Sequence, residues 1–176
     1  MLKKIILFTS IVLLFLLTFN TMAQKNKLKI GDTIPNFTLQ DQNGIDFSID
    51  KLVGKKAMVI YFYPKDDTPG CTKEACSFRD EFEAFTKLNI EIIGISSDNV
   101  TSHKQFAEKY NLPFTLLADT KKEVRELFGV PKSFLGTIPG RVTYIINKEG
   151  EIKYIFNSMT KAEQHIIEAK KIIQTF

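Results

Sequence analysis

Tryptophan is absent from this 176-residue chain, and cysteine and histidine occur only twice each. The two histidines, His103 and His165, stand far apart and no C-x-x-C pair exists, so the ligand spacings of zinc sites are missing. Neither sign of charge dominates, with 24 Lys and Arg against 20 Asp and Glu. That balance, without a basic cluster interleaved with aromatics, gives no support to nucleic-acid binding. Six prolines and nine glycines are too dispersed to make a linker or low-complexity tract after Gln24. Long apolar runs are lacking too, except at the start of the chain.

That first run reads as an export signal over residues 1–23. Lys3 and Lys4 precede an apolar stretch over residues 5–19, and Thr21-Met22-Ala23 supplies small residues at the cleavage positions. The stretch is about fifteen residues, short of the ~20 that span a bilayer. Cleavage before Gln24 is expected, with the periplasm of a bacterial cell envelope as destination and no stable membrane span afterwards; an uncleaved anchor is the alternative. Residues 24–176 then form one domain, and loss of Lys3 and Lys4 takes the formal charge from +4 to +2. Such a length buries about two-thirds of its unfolded surface without staples, and fifteen Phe supply core.

The cysteines are close together, at 71 and 76. An apolar run over residues 57–63 reads as a strand covered on both faces, and a helix is expected over residues 71–88. At 100° per residue, Ala75, Phe78, Phe82 and Phe85 fall within about 40° of Cys71, which places it on the buried stripe. Cys76 lies about 140° round the helix, and its Cα is about 8.6 Å from that of Cys71 while the helix is intact. A disulfide tolerates up to only about 7 Å. The pair therefore suits a bond made and broken through unwinding, although two cysteines in an exported chain also allow a structural disulfide. A thiol at a helix N-terminus sits among unpaired N–H groups and positive partial charge, which favour the thiolate. Cys71 is a candidate nucleophile on these grounds alone.

Other elements follow from periodicity and punctuation. Residues 31–39 and 45–49 form an expected N-terminal β-hairpin turning at Asn43-Gly44. A strand over 90–96 precedes a helix over 100–110 capped by Asp98 or Asn99. A short strand over 114–118 is followed by a helix over 120–128, capped by Asp119 and closed by Gly129. Residues 130–140 form the long irregular loop. A second hairpin over 141–147 and 151–156 leads into a helix over 161–176. This order predicts an α/β fold with a mixed central sheet flanked by helices.

The segment Tyr63-Pro64-Lys65-Asp66-Asp67-Thr68-Pro69-Gly70-Cys71-Thr72-Lys73-Glu74-Ala75-Cys76 resembles the active-site segment of peroxiredoxins of the bacterioferritin comigratory protein, or Q-type, subfamily. Pro64, Thr68 and Cys71 keep the family's P-x-x-x-T-x-x-C spacing, and Cys76 follows five positions on. The likeness extends through Gly31-Asp32-Thr33-Ile34-Pro35-Asn36-Phe37, Gly94-Ile95-Ser96, Phe106-Ala107-Glu108-Lys109-Tyr110 and Lys132-Ser133-Phe134.

The resemblance implies a thioredoxin-like fold and reduction of hydroperoxides by thiol chemistry, with no cofactor, neither haem nor metal. It makes Cys71 the peroxidatic and Cys76 the resolving cysteine. It assigns Thr68 to hydroxyl contact with the thiolate and the peroxide, Pro64 to shielding the nucleophile from water, and Arg141 to the guanidinium beside the thiolate. It further implies a thioredoxin-like dithiol as reductant and a monomer. Glu74, one turn along from Cys71, is a candidate to orient Arg141 or a plain first-turn acid. His103 is expected as a partly buried packing residue and His165 on the surface of the last helix.

Two other classes compete. An exported thiol–disulfide reductase of the thioredoxin fold would carry C-x-x-C, and a proline where this chain has Arg141. A binding module with a structural disulfide would lose stability, not chemistry, on Cys71→Ser.

Overall fold

The computed structural model describes residues 27–133 and 136–175, so the expected signal segment over residues 1–23 lies outside the described residues. Strand β3 (Ala57–Phe62) is the centre of the architecture. Its side chains alternate between two cores. Val59 and Tyr61 join one apolar cluster, while Met58, Ile60 and Phe62 join the other. That is the behaviour of a strand covered on both faces, where period-2 alternation is hidden because every position is apolar.

Around β3 lie β4 (Ile90–Ser96), parallel to it, and β8 (Val142–Ile146), antiparallel. Outward from β4 come β5 (Thr115–Ala118), then β1 (Thr38–Asp41) and β2 (Asp46–Ser48), while β9 (Ile152–Asn157) closes the edge beyond β8. The result is a seven-stranded mixed sheet in the order β2-β1-β5-β4-β3-β8-β9. The expected N-terminal hairpin is present but shorter, since pairing begins at Thr38 opposite Ser48. Gly44, at φ 77°, takes the left-handed turn position that favours glycine.

One face of the sheet is covered by α1 (Pro69–Asp80), α2 (Phe82–Lys87), α3 (Val100–Tyr110) and α5 (Ala162–Ile173). On the opposite face, α4 (Glu123–Leu127) packs together with Ile34, Phe37, Ile49 and Phe128. The single helix expected over 71–88 is thus two. Glu81 leaves helical geometry at φ −104°, ψ 5°, and Leu88 falls beyond the end of the second helix and is exposed. Asn99 is the cap of α3, its side chain accepting from Ser102 N at 2.9 Å. The helix expected over 120–128 begins only at Glu123, because Lys122 takes a left-handed φ of 62°. Asp119 still serves it, accepting from the N–H groups of Val124 and Arg125 at 3.2 and 2.8 Å. Within the loop over 130–140, β6 (Lys132–Ser133) and β7 (Ile138–Pro139) make a two-residue ladder that no periodicity foretold. Among the described residues no helix is long and apolar enough to cross a membrane.

Candidate active site

The chain leaves β3 at Phe62, turns through residues 63–68 and enters α1 with Pro69 at its first position. Proline suits that position, because its φ is already helical and the N–H it lacks would have no helical partner. The first helical bond runs from Thr72 N–H to Thr68 O at 2.8 Å. The N–H groups of Gly70 and Cys71 precede it and are free of the helical ladder by position.

Two acidic residues of this turn are held by named side chains. Asp67 adopts a left-handed φ of 54°, and its carboxylate is held by Lys109 Nζ at 2.6 Å and Tyr110 OH at 2.6 Å. Those hydrogen bonds, Lys109 first, hold the Asp67 carboxyl below its ordinary value. Asp66 is buried and satisfied by Tyr63 OH at 2.7 Å, Ser102 Oγ at 2.7 Å and His103 Nδ1 at 2.9 Å. His103 is fully buried rather than partly so, with Nε2 3.1 Å from Leu117 O. It fastens the turn to β5 by hydrogen bonds as well as by packing.

Cys71 is 1% exposed, on the stripe with Ala75 and Phe78, while Cys76 is half-buried on the other side of α1. Both thiols are free. Arg141, immediately before β8, reaches across to the cysteine: its Nη2 donates to Cys71 Sγ at 3.3 Å and its Nη1 donates to Glu74 Oε2. Gly70 makes room for this, since a Cβ there would stand 3.2 Å from Arg141 Nη2. Pro64 is half-buried at the start of the turn. Thr68 differs from expectation. Its hydroxyl donates to Lys65 O at 3.1 Å, so its one proton is committed away from the sulfur.

Glu74 is fully buried, and its Oε1 has no hydrogen-bond partner. Burial pushes its carboxyl up to about 8, against the opposing pull of Arg141. His165 is corrected by the structure: it is completely buried, not on the helix surface. The buried positions Ala162, His165, Ile166, Ala169 and Ile173 follow helical spacing, which puts the imidazole on the inward stripe of α5. Its Nε2–H donates to Ser158 O at 2.9 Å, its Nδ1 accepts from Thr143 Oγ1 at 2.7 Å, and Glu74 Oε1 lies 3.5 Å away. Burial, with the nearby charge of Arg141, pulls the His165 pKa down to about 4 and keeps it neutral. Spacing alone did not reveal Arg125, which is buried below the turn, or the contacts of Thr143 and Gly70. Among the described residues no group of His, Cys, Asp and Glu could hold a metal ion.

A cysteine at a helix N-terminus with a guanidinium on its sulfur can hold a thiolate and present N–H donors to oxygen atoms approaching it. Comparison with known proteins agrees with this arrangement. The profile of the AhpC/TSA family matches residues 30–155. Chloroplastic peroxiredoxin Q of Triticum aestivum is 53% identical over 148 residues, covering 84% of this chain and 68% of that protein. Chloroplastic peroxiredoxin Q of Oryza sativa subsp. japonica is 51% identical over 149 residues, covering 85% and 68%. The crystal structure of a peroxidoxin from Mycobacterium tuberculosis superposes with a TM-score of 0.78 at 33% identity, covering 85% of this chain and 98% of that one. The periplasmic destination expected from the first residues is corrected by the chloroplastic relatives, which point away from a bacterial envelope. With most of its length matched, and about half of the aligned residues shared with these plant proteins, the chain belongs to the AhpC/TSA family and is a peroxiredoxin of the Q type.

Proposed function

We propose that this peroxiredoxin reduces hydrogen peroxide and organic hydroperoxides at Cys71, with Cys76 as resolving partner and a thioredoxin-like dithiol as electron donor. The reading is carried by one observation, the 3.3 Å contact between Arg141 Nη2 and the buried sulfur of Cys71. The Cys71 thiolate attacks one peroxide oxygen, forming an S–O bond as the O–O bond breaks. Sulfur is oxidised by two electrons, and the departing oxygen takes a proton to leave as water or an alcohol.

Acidifying the thiol is not sufficient for a fast reaction. Lowering a thiol pKa from about 8.5 to about 6 raises the thiolate fraction at pH 7 from about 3% to about 90%. Nucleophilicity falls about tenfold in return, which leaves a gain of about twofold. The remaining acceleration has to come from donors aimed at charge that develops on the peroxide oxygens. Arg141, with a fixed fork of donors, and the Cys71 N–H are placed for this. Thr68 contributes from the rim once its hydroxyl turns from Lys65 O, and Pro64 shields the sulfur from water.

Cys76 then attacks the sulfenic sulfur and expels water, giving a disulfide. Both cysteines lie in α1, so their Cα atoms are about 8.6 Å apart until the first turns unwind. The dithiol donor restores both thiols by exchange. The protein works as a monomer, the state the Q-type resemblance implies, and the chloroplastic relatives support a plastid as its setting.

A single-turnover assay tests this reading. Wild type consumes peroxide and forms the Cys71–Cys76 disulfide, detected by mass spectrometry. Cys71→Ser folds but consumes none, and Cys76→Ser reacts once and stalls. Peroxide loss at the wild-type rate without Cys71 overturns the reading, and thiol–disulfide exchange without peroxide turnover favours a reductase.

A further inference from the structure

Arg125 is a buried cation, 3% exposed, and no carboxylate pairs with its guanidinium among the described residues. Such a group is costly to bury unless its donors are used. Its two Nη groups are used on backbone carbonyls from distant parts of the chain, Nη2 donating to Tyr63 O at 2.7 Å and Nη1 to Gly140 O at 2.9 Å, while Nε is left without a hydrogen-bond partner. The guanidinium also lies over the Phe62 ring, 5.5 Å from its centroid.

The choice of carbonyls is informative. Tyr63 O belongs to the peptide that joins Tyr63 to Pro64, and Gly140 O to the peptide that joins Gly140 to Arg141. Peptide units are planar, so holding each oxygen sets the direction in which the next residue departs. The Tyr63–Pro64 peptide has no N–H and can be anchored only through that oxygen. Gly140 leaves no room for a side chain, since a Cβ there would collide with Pro131 O. One side chain therefore ties the segment carrying Cys71 to the segment carrying Arg141.

We propose that Arg125 is a positioning residue, a clamp that sets the Arg141 guanidinium against the Cys71 sulfur. Its own helix is fixed in turn, because Asp119 holds the N–H groups of Val124 and Arg125. Burial pulls the Arg125 guanidinium below its ordinary value while Asp119 opposes this, in keeping with a cation retained for its geometry. Displacing reacting groups by about 1 Å can cost about a hundredfold in rate.

The inference rests on the proposed peroxidase reading, and the test separates the two. Wild type, Cys71→Ser, Arg125→Lys and Arg125→Met are compared in peroxide consumption, in alkylation of Cys71 by iodoacetamide, and in melting temperature. Alkylation needs the sulfur but not donors placed on peroxide oxygens. A clamp predicts peroxide rates lower by about tenfold for Arg125→Lys, whose single ammonium replaces the fork, and by about a hundredfold for Arg125→Met. Alkylation should change by less than about threefold, because it does not use that placement. The lysine variant, which keeps the charge, carries the test should the methionine variant not fold. A wild-type peroxide rate in Arg125→Lys overturns the inference alone, as does an equal fall in both reactions. Absence of Cys71-dependent peroxide consumption in wild type overturns the peroxidase reading, and the clamp with it.

Discussion

Arg141 Nη2 lies 3.3 Å from Cys71 Sγ while Nη1 of the same guanidinium is bonded to Glu74. One cation thus serves a sulfur and a carboxyl, and the fork that permits this cannot be supplied by an ammonium group. Arg141→Lys is expected to lower the peroxide rate by about a hundredfold, the usual order for losing one aimed donor. A stopped-flow rate within threefold of wild type would remove Arg141 from the mechanism.

Glu74 gives a prediction for the range between pH 4.5 and about 8. Burial holds its carboxyl at about 8 in the fold, against 4.5 in an unfolded chain. A carboxyl raised in this way contributes stability that is fully present below pH 4.5 and is lost as pH rises through about 8. Glu74→Gln fills the same space and cannot ionise. Melting temperatures should fall for wild type as pH rises from about 5 to about 8 and stay level for the variant. An equal fall in both would show that another group titrates.

His165 sets the acid side. Its pKa is 6.5 in the unfolded chain and about 4 in the fold, chiefly through burial. Protonation therefore favours unfolding, and stability is lost as pH drops between those values. Some 2.5 units correspond to about 3 kcal/mol. His165→Gln can keep bonds to Thr143 and Ser158 without gaining charge, so its denaturant midpoint should be flatter from pH 6.5 to 4. Parallel curves for the two proteins would count against this assignment.

These groups were unequally legible. The buried stripe through Cys71, Ala75 and Phe78 follows from 3.6-residue spacing, and the structure keeps it. The same spacing runs through Ala162, His165, Ile166, Ala169 and Ile173, yet the many charged neighbours on that helix hid a buried imidazole. Arg141 reads as an ordinary strand-start cation unless the Pro64, Thr68 and Cys71 spacing is recognised. Arg125 had no signature at all, because its partners are carbonyls 62 and 15 positions away and every residue has a carbonyl. The break at Glu81 and the left-handed Lys122 carry neither proline nor glycine to announce them.

In the proposed cycle, unwinding of α1 joins Cys71 to Cys76, so the helix should be adjustable from its exposed side. Lys73 lies between the two cysteines and pairs with Glu163 at 3.0 Å, with both side chains more than half exposed. An exposed pair of this kind contributes about 0–1 kcal/mol. Glycine in a helix interior costs about 1 kcal/mol relative to good helix formers. Lys73→Gly therefore favours the unwound state by about 1 kcal/mol or slightly more, which is at least about fivefold in its population. Cys71, Arg141 and Glu74 are untouched, so sulfenic acid formation should keep its rate while disulfide closure speeds up by that factor. Acid-quenched mass spectrometry after one equivalent of peroxide resolves the two steps. Closure at an unchanged rate would mean that unwinding of the first turns does not limit the encounter of the two sulfurs.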